Sequence, residues 1–179
     1  VHAHRAIRNV ALIGFMGTGK TSVGRALAEL LGFRFVDTDE LIEAQARKRI
    51  VDIFAQDGEA AFRQLEETVV ADLTGSEGLM IATGGGLPTR QSNLDALKTH
   101  ALIVCLWASP EKILDRVGTQ SHRPLLNVPD PLARIRELLE ERTPFYKQAD
   151  VMITTEGRPI REVAQQVANQ FHMARKATP

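Results

Sequence analysis

Short apolar runs alternate along the chain with stretches of helical periodicity. Residues 9–15 read as a strand, and Lys20–Leu31 follows with Val23, Ala26, Leu27, Leu30 and Leu31 at helical spacing. Residues 33–37 predict a second strand. A later helix places Phe62, Leu65, Val69 and Leu73 on one face. Residues 79–83 and 102–107 are continuous apolar runs, the signature of parallel strands covered on both sides. Residues 151–155 predict a fifth strand, and a last helix puts Ile160, Val163, Val167 and Phe171 on one side. Ser109-Pro110 and Asp130-Pro131 each read as an N-cap followed by proline at the first helical position.

Five strands separated by helices imply an α/β fold: three layers, with a five-stranded parallel sheet wrapped on both faces and a ligand site at the carboxyl ends of its strands. Residues 118–130 carry no periodicity, and a loop of that length in a compact domain suggests a mobile lid. The expected organisation is one domain over residues 9–174, with an extension at 1–8 and a tail at 175–179, both disordered.

Composition narrows the partners. Lys plus Arg and Asp plus Glu number 22 each, so no overall field favours nucleic acid or an anionic membrane. Any bound anion must be held by a local cluster. The lone cysteine, Cys105, lies in a buried-strand pattern and reads as inert core in a reducing compartment. No apolar run approaches the roughly 18–20 residues that cross a bilayer. Residues 1–8 carry charge with no signal-peptide apolar stretch after them, so the expected location is the cytoplasm.

The strongest chemical signal is Gly14-Phe15-Met16-Gly17-Thr18-Gly19-Lys20-Thr21, a full G-x-x-x-x-G-K-[ST] match between a strand and an amphipathic helix. Glycines at this spacing let backbone N–H groups turn inward around phosphate oxygens, and the helix N-terminus adds partial positive charge. Gly17, Thr18, Gly19, Lys20, Thr21 and Ser22 are thus candidate ATP-binding residues. Lys20 would reach the β- and γ-phosphates, and Thr21 would ligate Mg²⁺. The chain has no Asn-Lys-x-Asp run of the GTPase kind and no H-R-D catalytic loop. The strand immediately after the P-loop helix ends in Asp37, a placement that belongs to small-metabolite and nucleoside monophosphate kinases.

Asp37-Thr38-Asp39 then meets the P-loop at the sheet edge. If extended geometry persists, alternation turns Asp37 and Asp39 the same way. One acid would support Mg²⁺ and the other would orient, or take a proton from, the attacking hydroxyl. The plainer alternative is an N-cap for the helix starting near Glu40.

The ordered set of motifs resembles the shikimate kinase family: the P-loop, Asp37-Thr38-Asp39, Asp57-Gly58-Glu59 with Phe62-Arg63, Gly84-Gly85-Gly86, Arg123-Pro124-Leu125-Leu126, and Arg142 before Pro144-Phe145-Tyr146. The resemblance implies a P-loop kinase fold and phosphorylation of the shikimate 3-hydroxyl by ATP with Mg²⁺, in the route to chorismate and the aromatic amino acids. It implies a monomer whose partners are its two small substrates. Asp39 would contact shikimate hydroxyls and act as base, with Lys20 and Arg123 completing the catalytic set, and Asp37 would support Mg²⁺ through water. Arg63 and Arg142 would hold the substrate carboxylate against Gly84, Gly85 and Gly86. Arg123 would arrive with the lid, Arg116 would lie along the adenine, and Arg158 belongs to a loose adenine-contacting stretch.

Elementary chemistry is consistent with these roles. A guanidinium fork suits a planar carboxylate. Arg63 follows core-facing Phe62 by roughly 100° of helix, which puts it at the edge of the core. Its alternative is a solvated surface charge, and that of Arg142 is a cation at the end of a helix closing before Pro144. Three consecutive glycines forgo side-chain packing, as expected where a ligand approaches backbone. His122 is expected to be solvent-exposed, and the other histidines show no metal spacing.

Overall fold

The computed structural model describes residues 5–118 and 126–176. In chain order its strands are β1 (Asn9–Ile13), β2 (Arg34–Asp37), β3 (Leu79–Ala82), β4 (Ala101–Trp107) and β5 (Val151–Thr154). Its helices are α1 (Lys20–Leu31), α2 (Thr38–Ala46), α3 (Ile50–Gln56), α4 (Gly58–Leu73), α5 (Gln91–Lys98), α6 (Pro110–Val117), α7 (Pro131–Tyr146) and α8 (Ile160–Lys176), with a short 3₁₀ turn at Leu87–Thr89.

The five strands are all parallel, in the order β2-β3-β1-β4-β5. After β1 the chain passes to the edge strand β2, returns to β3 beside β1, then crosses to the other side for β4 and β5. The direction of winding therefore reverses at β1, and the crevice for a ligand opens beyond its carboxyl end.

Strand alternation divides the core in two. Val10 and Leu12 of β1, with Leu102, Val104 and Leu106 of β4, face Val23 and Leu27 of α1 and Val163, Val167 and Phe171 of α8. Ala11, Ile13, Ile103 and Cys105 face the other way, toward residues of α4, α5 and α7 such as Val69, Leu94 and Leu138. The expected three layers are present. Cys105 is core, and burial pushes its thiol up to about 12, well clear of thiolate chemistry.

Three expectations need correction. Leu30 and Ile160 stand 52% and 48% exposed, because Ala28 and Ala164 take the inward positions on α1 and α8. Arg5 and Arg8, within the expected loose extension, are tied to the domain: Arg5 grips the Asp150 carboxylate with two bonds of 2.7 Å, and Arg8 pairs with Glu77 at 2.9 Å. Finally, α7 does not close before Pro144. It runs on to Tyr146 with the proline inside its last turn. The two proline-headed helices start as expected, with Ser109 accepting from the Lys112 amide and Asp130 from the Ala133 amide.

At the opposite edge from the ligand crevice, fully buried Asn9 joins three segments. Its amide nitrogen donates to Ser76 O at 2.7 Å and meets His100 Nδ1 at 2.8 Å, while its oxygen accepts from the Leu79 amide at 2.8 Å. Replacing Asn9 with Leu keeps the branched shape and the number of heavy atoms but strands these partners in the core. Asn9→Leu should lower unfolding free energy by about 3 kcal/mol, read from the urea midpoint; an unchanged midpoint would show that the buried amide has no structural role.

Candidate active site

The P-loop leaves β1 and wraps into the first turn of α1. Its glycines are required by space as well as by dihedral angle: Gly14 has φ 136°, and a β-carbon there would collide with the Leu106 carbonyl. Lys20 curls back so that Nζ donates to the carbonyls of Gly14 and Phe15, each at 2.9 Å. Thr18 is buried and closes the loop on Phe15 O at 2.8 Å, while Thr21 and Ser22 stand exposed on the first turn of α1.

The two acids do not sit as strand neighbours. Asp37 ends β2, and Thr38 and Asp39 already belong to α2. The expectation of persisting extended geometry fails because Asp37 caps the helix: its Oδ1 accepts from the Asp39 amide at 2.9 Å. The capping alternative and the ligand-facing one coexist, since the other oxygen, Oδ2, lies 3.5 Å from Thr21 Oγ1. A helix turn thus delivers Asp39 to the crevice. Burial, aided by Asp37, Glu66 and Glu43 and opposed by Lys20, pushes its carboxyl up to about 6.

Gly84, Gly85 and Gly86 follow β3 and lie against Asp39, Arg142 and Arg63 in turn. A β-carbon on Gly84 would stand 2.5 Å from Asp39 Oδ1, and one on Gly86 would stand 2.9 Å from Arg63 Nη1. One on Gly85 would meet Arg142 Nη1, Gly14 O and the Met16 amide, all at 3.5 Å. The turn therefore borders Asp39, both arginines and the P-loop together. Thr38 Oγ1 accepts from the Gly84 amide at 3.0 Å, and Tyr146 donates to Gly85 O at 2.8 Å, so the turn is pinned from two sides.

Arg63 is held on α4 by carboxylates: Nη1 donates to Glu66 at 2.8 Å, and Nε and Nη2 reach Glu59 at 3.3 and 3.1 Å. Glu66 is buried, and desolvation raises its pKa against the pull of Arg63, Arg90 and Arg142. The sequence reading missed this acid. Its position three residues after Arg63, on the apolar face of α4, was the available signal. Arg142 projects from α7 with its guanidinium 5.3 Å from the centre of the Phe15 ring.

On the far side of the P-loop, Arg116 donates to Gly17 O at 3.0 Å and to the side chain and carbonyl of Thr155, each at 2.9 Å. It thereby ties the P-loop to the loop after β5. Arg158 pairs with Glu162 at 2.8 Å and sits at the head of α8. Arg123 and His122 lie outside the described residues, as does most of the segment expected to form the lid.

A P-loop at the reversal point of a parallel sheet, with an acid and two arginines beside it, defines a kinase acting on a small molecule. Residues 16–172 match the family model described as shikimate kinase. The chain belongs to the shikimate kinase family. The shikimate kinase of Thermodesulfovibrio yellowstonii is 46% identical over 165 residues, covering 92% of this chain and 95% of that protein. That of Symbiobacterium thermophilum is 47% identical over 166 residues, covering 91% and 95%. Among solved structures, shikimate kinase from Acinetobacter baumannii in complex with shikimate superposes with a TM-score of 0.88 at 39% identity, covering 93% of this chain and 94% of that one. A gluconokinase from Sinorhizobium meliloti, at TM-score 0.68 and 16% identity over 97% of both chains, shares the fold alone.

The raised pKa of Asp39 has a cost in stability with a definite sign. Below about pH 3.8 the folded and unfolded chains both hold the proton; between there and about pH 6 only the folded chain favours it. Above that window the charge penalty is complete, up to about 3 kcal/mol. Asp39→Asn should therefore raise the denaturation midpoint at pH 7.5 and leave it nearly unchanged at pH 3.5. Equal effects at both pH values, in urea titrations of the ligand-free protein, would place Asp39 in an ordinary solvated setting.

Proposed function

We propose that this protein transfers the γ-phosphoryl group of ATP to the 3-hydroxyl of shikimate, giving shikimate 3-phosphate and ADP. The observation that carries the reading is the convergence of Asp39, Arg63 and Arg142 on the glycine turn beside the P-loop. A carboxylated polyol needs cations for its carboxylate and an acid at the reacting hydroxyl, and this arrangement supplies both.

The P-loop amides and Lys20 hold the triphosphate, with Lys20 exchanging its bonds to Gly14 O and Phe15 O for phosphate oxygens. Thr21 Oγ1 and Asp37 Oδ2 lie close enough to serve one hard cation, Thr21 directly and Asp37 through water, and oxygen donors suit Mg²⁺. When bound, Mg²⁺ supplies charge neutralisation at the phosphate oxygens. Arg116 and Arg158 flank the adenine, and Arg123 contacts the transferring group.

Arg63 and Arg142 clamp the shikimate carboxylate while the Gly84–Gly86 backbone floors the ring. Asp39 orients the 3-hydroxyl and accepts its proton. At a pKa of about 6 it is ionised at neutral pH yet more basic than a solvated carboxylate. Because the transition state is loose, proton transfer comes late and a strong base is unnecessary. The reading extends to a cytoplasmic monomer with neither nucleic acid nor membrane as partner. A formal net charge of zero supports it, and no helix among the described residues is long and apolar enough to cross a membrane.

A coupled ADP-release assay with shikimate, gluconate and nucleoside monophosphates tests the acceptor, and preference for either rival would refute the proposal. With shikimate, kcat/KM should rise with pH, half-maximal near pH 6, and level off about one unit higher. Asp39→Asn should lower kcat by about two orders of magnitude or more; wild-type turnover by that variant would remove Asp39 from the chemistry.

Arg63→Ala should weaken shikimate binding by about 2–4 kcal/mol and also destabilise the fold, because it strands buried Glu66. Adding Glu66→Gln should recover stability without recovering the KM for shikimate. Recovery of both would make Arg63 a structural partner of Glu66 and nothing more.

A further inference from the structure

The proposed mechanism gives a task to both acids of Asp37-Thr38-Asp39 and none to the residue between them. Thr38 is fully buried, and a hydroxyl in that setting needs a partner. The amide of Gly84 supplies it, donating to Thr38 Oγ1 at 3.0 Å.

The pairing of the strands explains why a side chain is needed here. β2 and β3 run parallel with Asp37 opposite Ala82, and successive amides of such a strand point alternately to its two neighbours. The Thr83 amide donates to Leu12 O of β1 at 3.1 Å, so the Gly84 amide points toward β2. Had β2 run on, the Thr38 carbonyl would have met it. The chain instead enters α2 at Thr38, capped by Asp37, and that carbonyl leaves the ladder. The Thr38 hydroxyl oxygen fills its place. It adds one rung to the sheet where the glycine turn begins, while the Gly84 carbonyl accepts from the Leu87 amide at 3.1 Å. The next residue of the same helical turn is Asp39, whose Oδ1 would stand 2.5 Å from a Gly84 β-carbon. One side chain thus fastens the turn, and its neighbour lays a carboxylate against it.

We propose that Thr38 is a positioning residue: its Oγ1 fastens the Gly84 amide to the start of α2, and so sets the gap between the Asp39 carboxylate and the glycine turn where the shikimate hydroxyl is placed. This rests on the acceptor reading given above for the site. Serine offers the same oxygen. Valine has the branched shape of threonine without an acceptor, and leaves the Gly84 amide unsatisfied.

Amide hydrogen exchange, followed by NMR, tests the bond in the unaltered, ligand-free protein. The Gly84 amide should exchange about 10-fold or more slowly relative to an unstructured glycine. Exchange at the unstructured rate would overturn the assignment. In kinetics, Thr38→Val should lower kcat/KM for shikimate about 10-fold, with the KM for ATP within about two-fold of wild type. Thr38→Ser should stay within about two-fold of wild type for both substrates. On an Asp39→Asn background, Thr38→Val should add less than about two-fold. An unchanged kcat/KM in Thr38→Val, an equal loss on the ATP side, no recovery in Thr38→Ser, or a full effect on the Asp39→Asn background would each contradict the role. If Thr38→Val does not fold, Thr38→Ala removes the same acceptor without adding a methyl group, and its kinetics decide. Wild-type turnover of shikimate in the same assay separates failure of this assignment from failure of the acceptor reading.

Discussion

The site depends on the close approach of side chains to a backbone that has none. At Gly84 and Gly86 a single methyl group would occupy the space now held by the Asp39 carboxylate and the Arg63 guanidinium. Neither glycine has a positive φ, so the constraint is steric rather than conformational. Three glycines in a row would ordinarily be a loose turn. Here they are fixed by Thr38 on the Gly84 amide, Tyr146 on the Gly85 carbonyl and Thr89 on the Gly86 carbonyl at 2.7 Å. The turn is thus bare of side chains yet pinned at each of its three residues, with charged groups around its rim.

Electrostatics on that floor are divided by partner chemistry. Asp39 is raised toward neutrality by burial and by neighbouring acids, which makes it a better proton acceptor at the expense of stability. Glu66, buried under Arg63, takes part in both effects: it offsets one guanidinium and lifts the Asp39 carboxyl. Arg142, resting over the Phe15 ring, brings positive charge to the same rim. The nucleotide side is built separately, from the P-loop and the Arg116 tie to Thr155, and the two halves touch where Gly85 packs against Gly14 and Met16.

Much of this was legible in the sequence. The alternation of Val10 and Leu12 with Ala11 and Ile13 predicts a strand covered on both faces, and the P-loop motif fixes what lies at its end. The positions of Asp39, Arg63 and Arg142 came from motif order, which reflects a shared fold and not any local pattern. What stayed hidden are interactions between residues far apart in sequence that carry no signature of their own: Asn9 with Leu79, Thr38 with Gly84, Tyr146 with Gly85. Local competition hid the rest. Asp37 reads as a strand end with a cap as its alternative, and the structure uses it as both. Pro144 reads as a helix stop, yet the turn persists because proline forfeits one hydrogen bond that the packing of Tyr146 outweighs.

The claim that the glycine turn is the acceptor floor can be tested with one added carbon. Isothermal titration of Gly84→Ala with shikimate, and separately with a non-hydrolysable ATP analogue, measures the two halves of the site in one protein. A methyl 2.5 Å from the Asp39 carboxylate oxygen should abolish detectable shikimate binding and leave nucleotide affinity within about two-fold of wild type. Wild-type affinity for shikimate in that variant would mean that the acceptor lies elsewhere.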